Sequence, residues 1–120
     1  MFVYILRTCD ILGNYIKDFE DHHYFTKDDL KKLDFDVHQI HNIANRMAID
    51  KSSNRTIGKI SPHKYKEHKI SVNQKQLKTY MIPLIDNNMK EITRRKYLSF
   101  LRERTDLIID EIKKVIKKPR

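Results

Sequence analysis

Residues 36–60 read DVHQIHNIANRMAIDKSSNRTIGKI, and the way this stretch folds decides between an all-α chain and one with a sheet. Asp36 suits a helix N-cap, because its carboxylate accepts a hydrogen bond from a first-turn N–H that has no partner inside the helix. Val37, Ile40, Ile43, Ala44 and Met47 follow at steps of three, three, one and three. That narrow apolar stripe predicts a third helix ending near Ala48. Asp50 to Asn54 reads as a loop by composition, and Arg55 to Ile60 alternates weakly until Ser61-Pro62 breaks the run. A second weakly alternating run, Tyr65 to Val72, either pairs with the first as a small hairpin or forms an irregular basic arm.

Upstream, Phe2, Ile5, Leu6, Cys9, Leu12, Ile16 and Phe19 recur every three or four positions, which predicts a first helix. The β-prone Phe2-Val3-Tyr4-Ile5 and the pair Gly13-Asn14 support a competing strand-and-turn reading. Thr26 with Asp29 forms a near capping box, and Phe25 is placed to staple against Leu30, so a short helix over 27–33 is expected. Downstream, Ser71 with Gln74 caps a fourth helix carrying Val72, Leu77, Tyr80, Met81 and Leu84, which Pro83 kinks or stops. From Met89 no Gly or Pro intervenes before Pro119. Leu98, Leu101, Thr105, Ile108, Ile112 and Val115 then form a heptad stripe within a helix predicted over 89–118, about 45 Å long at 1.5 Å per residue.

The expected fold is therefore mainly α, with four to five helices, a long C-terminal helix and a basic loop or small hairpin between helices 3 and 4. The alternative is an α+β, winged-helix-like chain in which residues 2–8 form a strand. A chain of 120 residues suits one domain spanning 1–120. No apolar run reaches the length of a membrane span, and the first six residues lack the basic start of a secretory leader. The single cysteine, Cys9, makes no internal disulfide, so an intracellular protein without membrane attachment is expected.

Charge is unevenly placed. Residues 1–50 hold six Lys/Arg against nine Asp/Glu, a net of −3, whereas residues 51–120 hold nineteen against seven, a net of +12. Lys, Ile and Asn make up 40 of the 120 residues and Ala and Gly only two each, a codon bias that fits an AT-rich genome such as that of a phage or virus. Such drift raises lysine everywhere and does not explain its segregation. A basic half beside an acidic one fits contact with a polyanion on one side of the molecule.

The stretch 36–60 also resembles a helix-turn-helix in its order of elements: a helix with a small residue at the crossing, a small-residue turn, then a segment offering Ser, Arg and Lys to DNA. Asn54 stands where that motif usually has a β-branched residue, and Gly58 falls inside the would-be recognition helix. If 55–72 is a hairpin instead, it resembles the wing of a winged-helix domain. Either resemblance implies duplex DNA binding by a regulatory or accessory protein. Lys51, Arg55, Lys59, Lys64, Lys66, Lys69, Lys75 and Lys78 are the expected phosphate contacts. Tyr65, between two lysines, is a candidate base-stacking residue. Arg94, Arg95 and Lys96, with Arg102 and Arg104 one to two turns on, form a basic collar on the last helix, in which Arg95 and Arg102 share a side, and Arg104 could also pair with an acid beside the seam of a second copy.

Other chemistries have thinner support. His38 and His41 have metal-ligand spacing near Asp34 but no third strong ligand, so no metal and no cofactor is expected. His63 and His68 among lysines are the residue types of metal-free RNA cleavage, which leaves a small nuclease as a minor reading. Only Gly13 and Gly58 exist, too few for a Gly-rich phosphate loop. The seam Leu98, Leu101, Thr105, Ile108, Ile112, Val115 predicts a homodimer unless the same chain covers it. The competing functional class is a protein-interaction module that occupies a partner through its apolar helix faces.

Overall fold

The computed structural model describes residues 9–83 and 89–117. The chain combines helices with one small antiparallel sheet, an α+β or mainly α architecture with a long C-terminal helix. Strand β1 (Phe19–His23) pairs with β2 (Arg46–Asp50) in a register that sets Phe19 opposite Asp50 and His23 opposite Arg46. Between them run α1 (Lys27–Lys32), α2 (Val37–Ile40) and a 3-10 turn at Ile43–Asn45. After β2 come α3 (Lys51–Ile57), a 3-10 turn at Pro62–Lys64, α4 (Gln74–Thr79) and α5 (Arg94–Lys117).

Local signals explain the elements that sequence reasoning found. Thr26 caps α1 by accepting from the Asp29 N–H, and Phe25 and Leu30 are both buried, as the staple requires. Asp36 and Gln39 close a capping box at α2, with the Asp36 carboxylate 2.8 Å from the Gln39 amide nitrogen. That helix stops at Ile40, however, and the expected stripe fails: Val37 and Ile43 are exposed, while Met47, Ala48 and Ile49 are buried consecutively in β2. A short run of apolar residues buried on both faces carries no period, so spacing alone assigned it to the wrong element.

The segment 50–57 is also corrected. Asp50 is an N-cap, accepting from the Ser52 amide at 3.0 Å, and residues 51–57 are helix rather than loop and strand. Gly58 ends α3 with φ +55°, a conformation that favours glycine. Residues 55–72 contain no strand, so neither a hairpin nor a wing is present, and β2 occupies the place of the first helix of a helix-turn-helix. Over residues 9–19 the predicted first helix gives way to a turn closed by a Cys9–Tyr15 bridge; its start, and the alternative strand at 2–8, lie outside the described residues. Helix α4 is capped by Asn73 rather than Ser71 and ends at Thr79, ahead of Pro83.

The core is an aromatic cluster under the first half of α5. Phe25 meets Phe100 at 4.7 Å and Tyr97 at 5.6 Å between ring centroids, Tyr24 stacks on Phe100, and Phe35 lies edge-on to Tyr97. Such contacts contribute about 0.5–1.5 kcal/mol per pair beyond area burial. The Tyr97 hydroxyl donates to the Gln39 carbonyl at 2.6 Å, tying α5 to the end of α2. Buried polar groups complete the frame. Asn45 mimics a strand neighbour, accepting from the Phe25 N–H at 2.8 Å and donating to the Phe25 carbonyl at 3.0 Å. Arg104, expected at a surface collar or seam, is buried, and its guanidinium donates to the carbonyls of Ala44, Arg46 and Tyr80 at 2.9, 2.7 and 3.3 Å. Burial lowers its pKa to about 10, so it remains charged at neutral pH.

Candidate functional site

A hollow of about 330 Å³ opens between β1, α1 and the end of α3. Strand alternation turns His22 inward while Asp21 stays exposed and His23 half-buried. Helix α1 contributes Lys27 and Lys31, one turn apart and therefore on one side, and α3 with its glycine cap contributes Asn54, Gly58 and Lys59.

Two carboxylates on its wall are compensated. Asp21 is paired with Arg46, and Asp28 lies 3.7 Å from the Lys59 ammonium. Neither Lys27 nor Lys31 joins an ion pair among the described residues.

The histidines are held by specific partners. The Asn54 amide nitrogen donates to Glu20 at 2.6 Å, which leaves the Asn54 oxygen facing the His22 Nδ1 at 3.0 Å. His22 must then donate from Nδ1 and carry its lone pair on Nε2, an atom that is buried without a hydrogen-bond partner. Burial, opposed by the Asn54 contact and nearby aspartates, pushes the His22 pKa down, so the ring is neutral at pH 7. His23 contacts His41 at 2.8 Å between Nε2 and Nδ1; burial and the nearby Lys27 lower its pKa to about 4.

Behind the hollow, two carboxylates brace the loop leading into β1. Asp10 accepts from the amides of Leu12, Asn14 and Asp50, and Asp50 accepts from those of Lys17 and Asp18 as well as from Ser52. These contacts hold the Asp50 pKa well below the usual carboxylate range.

Of the residues expected from sequence, Lys51, Arg55, Lys59, Lys64, Lys66, Lys69, Lys75 and Lys78 are all exposed. Only Lys59 lines the hollow. Tyr65 is corrected: it is buried, edge-on to Tyr24, and its ring is not free to stack on a base. Arg95 and Arg102 are exposed. Arg94 is exposed too but committed within the chain, stacked 4.1 Å over the Phe35 ring and donating to the Leu33 carbonyl. In the seam, Leu101 belongs to the core and Ile108 is half-buried, whereas Leu98, Thr105, Ile112 and Val115 are exposed.

His38 and His41 do not converge on Asp34, and among the described residues no group of three or more His, Cys, Asp or Glu side chains is arranged to hold a metal. Spacing does not single out His22 or Asn54: Asp18, Glu20 and Asp21 ahead of His22-His23 have the composition of an acidic lead into a linker, and only the pairing with β2 makes 19–23 a strand. No described helix is long and apolar enough to cross a membrane. No protein-family model matches the chain, and neither a curated protein nor a solved structure matches it.

Proposed function

We propose that the chain binds nucleic acid, duplex DNA in the first instance, through the basic surface of residues 51–78 with Arg95 and Arg102 as flanking contacts. The observation that carries this reading is the exposure of all eight basic side chains between Lys51 and Lys78, a stretch in which Glu67 is the sole acid. Lys51 and Arg55 are one turn apart on α3, and Lys75 and Lys78 share a side of α4, spacings suited to phosphates along a backbone. Loss of the helix-turn-helix and of a stacking Tyr65 removes the features that read sequence. The proposed binding is therefore sequence-tolerant and rests on phosphate contacts and counterion release.

Titration of a fluorescent duplex tests it. Affinity is expected to fall steeply between about 50 and 200 mM salt, and Lys51→Gln with Arg55→Gln to lower the salt slope by about two. A duplex that does not bind at low salt, or binds with no salt dependence, defeats the proposal.

A second reading, a protein-interaction module or homodimer, is favoured by one observation. Ile112, Val115 and Ile116 on α5 are 50, 73 and 75% exposed, an apolar face that no described residue covers. Light scattering across a concentration series tests the dimer; a mass fixed at 14.5 kDa up to high micromolar concentration ends it.

A further inference from the structure

We infer that the hollow between β1, α1 and α3 is a binding site for a phosphate ester that carries a free hydroxyl, a site separate in its chemistry from the duplex-binding surface. Three features converge. Lys27 and Lys31 bring uncompensated positive charge to one side of the hollow, while its two acids are occupied by Arg46 and Lys59. His22 on its wall has Nδ1 committed to Asn54, leaving Nε2 as its one unpaired polar atom, in a residue only 5% exposed.

Leaving a buried acceptor without a donor is costly, and a native chain tolerates it where a ligand supplies the missing hydrogen bond. A lone-pair nitrogen accepts from O–H and cannot donate to an anionic oxygen, so it selects a hydroxyl rather than the phosphate itself. The lysines, three-donor cations on flexible stems, take the phosphate. The ligand class that meets both demands is a sugar phosphate or a nucleotide, free or at the end of a nucleic acid. Its recognition does not use Lys51, Arg55, Lys66 or Lys69, so the two proposals fail independently.

The test follows the His22 imidazole nitrogens by NMR on the full chain at about pH 8, where a phosphate monoester is fully deprotonated and offers no hydroxyl of its own. Probes are ribose 5-phosphate, methyl phosphate, ribose and a 5′-phosphorylated tetranucleotide. The free protein is expected to show His22 as the Nδ1–H tautomer. Ribose 5-phosphate should move Nε2 saturably, with methyl phosphate and ribose each binding about tenfold or more weakly.

Lys27→Gln with Lys31→Gln, both at exposed positions, should abolish the shift with the circular dichroism unchanged, and His22→Gln should weaken ribose 5-phosphate toward methyl phosphate. Should His22→Gln fail to fold, the lysine variant alone decides. Saturable binding of ribose 5-phosphate identifies a small ester as sufficient, whereas binding of the tetranucleotide alone identifies a strand end; both support the site. A His22 signal that no phosphate ester moves, or that moves equally in the lysine variant, overturns it. Retained ribose 5-phosphate binding with weakened duplex binding in the Lys51→Gln, Arg55→Gln variant separates this site from the basic surface.

Discussion

The two halves of α5 carry the same apolar rhythm and meet opposite fates. From Arg94 to Arg104 the helix presses Tyr97, Phe100 and Leu101 into the core and buries a guanidinium among three carbonyls. From Thr105 to Lys117 the rhythm continues through Ile108, Ile112 and Val115, but exposure rises until the side chains stand in solvent. The helix is about 36 Å long at 1.5 Å per residue, against a longest molecular dimension of 47 Å and widths of 28 and 27 Å. A periodic stripe states which side of a helix is apolar. It does not state how far along the helix there is a partner.

The sharpest way to break this comparison is truncation on each half. Phe100→Ala removes a ring that touches both Tyr24 and Phe25 and is expected to cost about 3–5 kcal/mol. Ile112→Ala should cost less than about 1 kcal/mol in a monomer, since the side chain is half exposed already. Urea melts of both variants check the contrast, and comparable losses would mean that the distal half is covered.

Arg104→Ala comes next, at about 2–4 kcal/mol, because it removes hydrogen bonds to carbonyls of three segments and leaves a void where the guanidinium lay. Leucine at the same position should recover little of this, as it fills space and donates nothing.

Acid titration separates the hollow from the carboxylate brace behind it. His22 and His23 have pKa values lowered by burial, so the unfolded chain binds protons before the folded one does, and stability should begin to fall below about pH 6.5. Asp50 is depressed in the opposite chemical sense. Its contribution is complete above the unfolded carboxylate value of about 3.9 and is lost as pH falls below it. Two phases are therefore expected, and Asp50→Asn should remove much of the lower one while leaving the upper. The smallest effect on stability belongs to Lys51→Gln with Arg55→Gln, within about 0.5 kcal/mol, since both side chains are exposed and unpaired among the described residues.

What sequence alone settled was local. Thr26 and Asp36 as caps, Phe25 against Leu30, and a long helix where no Gly or Pro intervenes all depend on groups within a few residues of one another. The exposure of eight basic residues was legible too, because an unpaired ammonium is too costly to bury. Tertiary structure decided the rest. Met47, Ala48 and Ile49 form a strand because Asp21 and its neighbours lie across from them, a pairing at a separation of more than twenty residues. That pairing turned His22 inward beside Asn54, placed Asp50 where four donors meet it, and so created the hollow. Tyr65 and Arg104, polar residues read as surface contacts, went inside because a ring and a guanidinium stem bury well once the fold supplies a cluster and three carbonyl acceptors. Spacing along a chain carries no information about which distant segment will supply such partners.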